Sequence, residues 1–385
     1  MEIGYCTNVH AGVDIMSTRD NLERYAARVK QIVSPDAPMG IGLWLAAPAA
    51  EQLLASNQTT EFRDWLTQQG LIPFTCNGFP YGDFHSTVVK HEVYKPTWYH
   101  PDRLKYTKNL ATILHQILPA GKEGSISTLP IAWGKQTMTD QQWETSVTQL
   151  LALTDFLHTL EQETGRLIHL CMEPEPGCTL DVAQDMTELF ENRLLPRGSA
   201  DQVLRYLRIC HDVCHSAVMF ESQADVLRRY QSLGIQVGKV QVSSAVRVNF
   251  AELSPTDREQ AFQQLAGFNE PRYLHQTCIR QPDHSIQFYQ DLSEAFASVT
   301  NPAVLESTWS IHFHVPIFLD RLGLLSTSQQ DILECIEVCK LMPDLNHFEV
   351  ETYAWNVLPD HLQPTDLSAG IAQELQWFNH LMASL

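Results

Sequence analysis

The chain is poor in positive charge. Twenty-six Lys and Arg face 45 Asp and Glu over 385 residues, a net charge of −19. Such a field repels phosphate backbones and anionic membranes, and the longest basic runs are pairs such as Arg228-Arg229, so a nucleic-acid partner is not expected. Long apolar stretches are missing as well. No segment reaches the roughly 18 uninterrupted apolar residues of a membrane span. The start, "MEIGYCTNVH", has neither the basic onset nor the apolar core of a secretory signal, which makes a cytoplasmic location the expectation. The nine cysteines are odd in number and scattered, and no Cys-x-x-Cys pairs exist to build a structural zinc site. Reduced thiols are expected rather than a disulfide framework. Low-complexity tracts and tandem repeats are also missing.

What is present is an alternation of short apolar runs with longer amphipathic ones. Candidate strands are "EIGYCTN" (2–8), "MGIGLWLA" (39–46), "LIPFTCN" (71–77), "SISTLPIAW" (125–133) and "LIHLCME" (167–173). Four more follow: "LRICHDV" (207–213), "QVGKVQV" (236–242), "WSIHFHV" (309–315) and "NHFEVET" (346–352). Helix patterns lie between most of them, with Gly70, Gly165 and Gly234 placed as C-terminal caps. Repeated β-then-α units predict a parallel sheet, and about eight of them predict a closed (β/α)8 barrel spanning 1–385. Nine strands are one too many, so an insertion over about 250–300 is expected near the barrel mouth. A second irregular stretch at 77–101, rich in aromatic residues, Gly and His, reads as a lid or a packed loop.

Chemistry in such a barrel sits at the C-terminal strand ends, and here those ends carry metal-ligand residue types. "HLCMEPEPG" ends on Glu173, "ICHDVCH" on Asp212 with His215 three residues later, and "HFEVETYAW" carries Glu349 and Glu351. "KVQVSSAVR" brings Gln241 and Arg247, "IHFHVPIF" brings His312 and His314 on one strand face, and earlier strands bring His10 and Asn77. A lone Glu or His beside a strand end is usually a loop cap or a core hydrogen-bonder. Several buried carboxylates converging on one point repel each other, and a divalent cation is the common remedy.

The motifs "MEPEPG", "HDVCH", "QVSSAVR" and "VETYAW", in that order on late strands, resemble the xylose-isomerase-like TIM barrels. That group includes sugar-phosphate isomerases, ketose epimerases and the endonuclease IV enzymes. Longer segments, among them "IGYCTNVHAG", "EGSISTLP" and "CHDVCHSAVMFE", resemble the EboE family of metabolite-traffic proteins over essentially the whole chain. The resemblance implies that Glu173 and Glu351 bind one divalent metal (Mn, Mg, Co or Zn) and move protons at a substrate carbon, with Asp212 as a further ligand. It implies that His215 and Arg247 hold substrate; by strand-end position His10, Asn77 and His312 are further candidates for binding it. Where that family has a seventh-strand His ligand this chain has Gln241, so the remaining ligand is expected to be Gln241 or His314. The implied activity is metal-dependent isomerisation or epimerisation of a small sugar-like or carbonyl metabolite. Two other readings stand beside it. One is a barrel that binds a metabolite without turnover. The other is phosphodiester cleavage in the endonuclease IV manner, using His275, His312 and His314, which the net charge disfavours.

Overall fold

A computed structural model describes residues 1–55, 58–135 and 138–384. Fourteen strands are assigned among them. In chain order these are β1 (Glu2–Tyr5), β2 (Met39–Leu43), β3 (Leu71–Asn77), β4 (Gly124–Thr128), β5 (Ile168–Met172), β6 (Leu207–Asp212) and β7 (Val237–Val242). They continue as β8 (Val246–Asn249), β9 (Thr277–Arg280), β10 (Ile286–Tyr289), β11 (Thr308–Ile311), β12 (Arg321–Leu322), β13 (Leu325–Thr327) and β14 (His347–Val350).

Eight of these pair in parallel in the order β1-β14-β7-β6-β5-β4-β3-β2. The two edges meet where Cys6 bridges to Gly42, closing a (β/α)8 barrel. Two glycines permit that seam. A Cβ on Gly4 would lie 2.7 Å from the Gly40 carbonyl oxygen, and one on Gly40 would lie 2.3 Å from that of Ile3. The alternation "IGYC" against "MGIG" therefore brings the first and second strands together backbone to backbone. The expected helices flank the barrel at Thr59–Gln68, Asp140–Thr164 and Gln329–Cys339. The long one begins on a Thr139–Gln142 capping box and stops at Gly165, whose φ of 68° is the left-handed turn that glycine adopts without strain.

The surplus strand is resolved by a second sheet. Strands β8 to β13 form an antiparallel, six-stranded sheet in the order β10-β9-β11-β8-β13-β12. It occupies the chain between β7 and the helix that precedes β14. The stretch "WSIHFHV" belongs there and not in the barrel, and its strand ends at Ile311. His312 and His314 are therefore not on a strand face as expected, but in the irregular segment that follows. That segment turns back over the barrel, pinned where the Val315 amide donates to the Ser244 carbonyl and the His312 amide to that of Gln276.

The barrel interior is polar. Lys239 on β7 and Glu349 on β14 form an ion pair of 2.6 Å in which neither side chain is exposed. Glu349 fits because Gly42 stands opposite, where a Cβ would fall 1.4 Å from Glu349 Oε1. The pair forms the floor beneath the strand ends. Register places Gln241 level with both Asp212 and Glu349, and Glu351 lies two residues beyond Glu349.

Candidate metal centre

Above that floor the C-terminal strand ends bring together residues far apart in sequence. Ligand atoms of Glu173, Asp212 and Glu351 lie within 4.8 Å of one another, and so do those of Asp212, His215 and His314. All five side chains are buried. Asp212 is held by the local fold: it ends β6 and caps the helix Val213–Val218, its Oδ1 accepting from the His215 amide (2.9 Å) and the Ser243 hydroxyl (2.8 Å). The motif "CHDVCH" thus switches from strand to helix at its aspartate. His211 turns away to Gln223 at 2.7 Å, and Cys214 packs with Val218, Ala245 and Cys278.

The histidines are oriented as metal ligands usually are, with Nδ1 spent on an acceptor and Nε2 turned toward the cluster. His314 Nδ1 lies 2.7 Å from the Glu351 carbonyl oxygen, which makes it the donor and leaves the Nε2 lone pair 3.9 Å from Asp212 Oδ2. His215 Nδ1 donates to the Pro174 carbonyl at 2.9 Å, leaving Nε2 4.0 Å from the same oxygen. His312 Nδ1 lies 2.7 Å from Gln276 Oε1, and its Nε2 faces that of His314 at 3.3 Å. Burial depresses the basicity of His314, to about 4, with Asp212 opposing and His215 adding to the effect. Burial, then His215 and His314, also pushes His312 well down. Both rings are neutral at pH 7 and have lone pairs to offer.

The carboxylates are in the opposite condition. Burial and then the charges of Glu351 and Asp212 push the Glu173 carboxyl well up. Burial, Asp212 and Glu349 do the same to Glu351. Burial opposes ionisation of Asp212 too, but His215, His314, the His215 amide and Ser243 together hold it low. Glu351 Oε1 accepts from Asn8 and Asn77, each at 2.8 Å, so its Oε2 is the oxygen left for other chemistry. Among the described residues, buried Glu173 Oε2, Asp212 Oδ2 and Gln241 Oε1 meet no donor, and Gln241 Nε2 meets no acceptor. Unpaired buried acceptors are costly. Three carboxylates with unpaired oxygens, two free imidazole nitrogens and an unpaired amide fit a divalent cation with mixed O and N ligation.

Over this cluster opens a cavity of about 60 Å³. Its lining includes Asn77, His215 and His312 along with Glu173, His314 and Glu351. Two expected contributors are elsewhere. Arg247 lies on β8 of the second sheet, paired with Asp331 at 3.1 Å and donating to the Ala217 carbonyl at 3.0 Å. Six residues after Gln241 the chain has already left the barrel, so an arginine there is carried away from the pocket. His10 is buried against Tyr5, whose hydroxyl is 2.9 Å away, and stacked on Tyr25 at 4.6 Å. Neither lines the cavity. Residues that sequence reasoning missed are Asn8, which braces Glu351, and the buried set Tyr94, Glu175 and Gln276. Tyr94 and Gln276 donate to Glu175 Oε1 at 2.7 and 2.8 Å. Glu175 stands two residues beyond Glu173 in "EPEP", a repeat that could have flagged it.

Strand order and closure decide the architecture. The chain is a (β/α)8 barrel similar to xylose isomerase domain proteins. One of these, from Alicyclobacillus acidocaldarius, aligns over 100% of this chain and 98% of its own at 8% identity and a TM-score of 0.46. The probable 3-DHS dehydratase AsbF of Bacillus anthracis, involved in petrobactin synthesis, aligns over 98% and 99% at 12% identity and a TM-score of 0.47. The IOLI protein with a bound zinc atom aligns over 100% and 99% at 11% identity and a TM-score of 0.48. At such identities the likeness concerns the chain path and assigns no activity to this barrel. Neither a protein-family model nor a curated protein sequence matches it. Among the described residues no helix is long and apolar enough to cross a membrane.

Proposed function

We propose that this barrel is a divalent-metal-dependent enzyme that moves a proton at a carbon beside a carbonyl of a small metabolite. The observation that carries the reading is the meeting of Glu173, Asp212 and Glu351 within 4.8 Å, joined at Asp212 by His314. Glu173, Asp212, Glu351 and His314 would hold the ion, and Gln241, level with Asp212 and unpaired, is positioned to join them. A bound divalent cation supplies Lewis-acid stabilisation of negative charge on substrate oxygens. The chain's own groups do the rest. Glu351, its Oε1 fixed by Asn8 and Asn77, presents Oε2 as a base. Glu173 enters from β5, three strands away in the barrel order, with Oε2 unpaired, and, starting as the protonated acid, delivers its own proton to the substrate while Glu351 keeps the one it took. Withdrawal by one carboxylate and return by the other gives isomerisation or epimerisation. The motif likeness to xylose-isomerase-like barrels, and within them to the EboE family, supports this role and a place in metabolite processing or traffic.

The test is solvent exchange. Protein loaded with Mn, Mg, Co or Zn is incubated in deuterium oxide with a panel of ketoses and hydroxyketones, and loss of the carbon-bound proton signal is followed by NMR. Exchange that needs metal and disappears in Glu351→Gln supports the enzyme. Metal-dependent binding without exchange on any member assigns the barrel to metabolite binding instead.

A further inference from the structure

We infer that the molecule recognised here is uncharged and two-sided: a hydroxycarbonyl or vicinal-diol head set against a planar apolar body, with no phosphate. The inference rests on the metal reading for the head but takes the body from other observations.

The first is the wall. Phe84, Tyr273 and Tyr353 form a triangle of rings with centroid separations of 5.2, 5.2 and 5.1 Å. Tyr353 also lies 4.7 Å from the His314 ring, so the triangle begins at the ligand cluster and continues outward from it. Phe79 and Tyr94 stand 5.9 Å apart, and all five rings line the cavity. They come from three separate segments: the 77–101 loop, the insertion, and the turn after β14. A flat hydrocarbon ring buries its faces on such surfaces.

The second observation is charge. Among the described residues lining the cavity, Lys90 is the one Lys or Arg side chain, and it is spent on an ion pair with Asp291. Arg247, the residue whose fork would take a phosphate, is turned to Asp331. Against this stand Glu173, Glu175 and Glu351 in the lining and Asp212 beside them. Among the described lining residues no unpaired Lys or Arg is left to take a phosphate, and acidic side chains would face it instead.

Three probes share one head and differ in body. Phenacyl alcohol carries a phenyl ring, hydroxyacetone only a methyl group, and dihydroxyacetone phosphate a phosphate. Binding to the full chain loaded with Mn is measured by calorimetry. Phenacyl alcohol should bind at least about tenfold more tightly than hydroxyacetone, since a buried aromatic ring contributes on that scale. Dihydroxyacetone phosphate should bind no better than hydroxyacetone. Phe84→Ala and Tyr273→Ala should each erase most of the phenyl advantage while Mn content stays at the wild-type level. Acetophenone, which has the body without the head, is measured on metal-free protein. If no metal binds yet acetophenone does, and loses affinity in both variants, the metal reading fails and the apolar body stands. Dihydroxyacetone phosphate binding more tightly than phenacyl alcohol overturns the inference, and so does a phenyl advantage unchanged in both variants.

Discussion

Replacing Glu173 by Gln should stabilise the metal-free protein, the reverse of what loss of a buried charged group usually does. The reason is mutual repulsion. Two like charges 4.8 Å apart, at the effective dielectric of about 20 that suits protein sites, repel by about 3.5 kcal/mol. Glu173 takes part in two such pairs, with Asp212 and with Glu351. A proton can relieve the strain, which caps the penalty. Holding a carboxyl of ordinary pKa 4.5 protonated at pH 7.5 costs about 4 kcal/mol. The glutamine variant escapes that cost and should gain about 1–4 kcal/mol in EDTA, a rise of several degrees in Tm. The sign with pH follows from the raised carboxyl of Glu173. The stabilising contribution is complete below the unfolded value of 4.5 and is lost as pH rises through the folded value above it. Wild type in EDTA should therefore weaken as pH rises above about 4.5, and Glu173→Gln should weaken less. Divalent metal at a hundred times its Kd should restore about 2.7 kcal/mol to wild type and much less to the variant. Thermal unfolding by circular dichroism, with and without metal across that pH range, measures both effects. A variant less stable than wild type in EDTA at pH 7.5, with an undiminished response to metal, would refute the reasoning.

Other consequences are as direct. Lys239→Met leaves Glu349 charged and alone in the barrel floor and should cost about 3–5 kcal/mol in urea unfolding, much of it recovered in Lys239→Met/Glu349→Leu. Arg247→Ala should remove about 1 kcal/mol of stability through Asp331 and leave ligand affinity unchanged in calorimetry, whereas a lost affinity would return Arg247 to the site. Asn8→Ala withdraws a donor that favours the charged form of Glu351, so the pH midpoint of metal uptake should move upward. His314→Ala should empty the centre, while Gln241→His should tighten it if the amide is a ligand and change little if it is not. Metal content of the two variants separates those cases.

The barrel was legible because each strand announces itself by the same physics. Runs such as "LIPFTCN" are short and rich in apolar residues, as buried parallel strands between helices are, and the caps at Gly70, Gly165 and Gly234 mark where helices stop. Glu173, Asp212 and Glu351 could be placed together because strand ends in a barrel share one rim. The pattern misled where local sequence cannot tell one sheet from another. "WSIHFHV" alternates well enough for a strand, yet its pairing with β8 and β9 is antiparallel and outside the barrel. Arg247 was misplaced for the same reason, since nothing in "QVSSAVR" says that the chain changes sheets at Val246. The Lys239–Glu349 pair was hidden because a charged residue in a strand is ordinarily a solvated one. Only closure of the barrel around Gly42 makes its interior the place for both.

The central claim is that the cluster at the strand ends is a metal site, and anomalous diffraction from crystals grown with Mn or Zn, with elemental analysis of the same protein, tests it most directly. The account predicts one ion per chain at about 2.0–2.6 Å from oxygens of Glu173, Asp212 and Glu351 and from His314 Nε2. Protein that holds no metal at millimolar concentration, or an ion bound away from those three carboxylates, would contradict it.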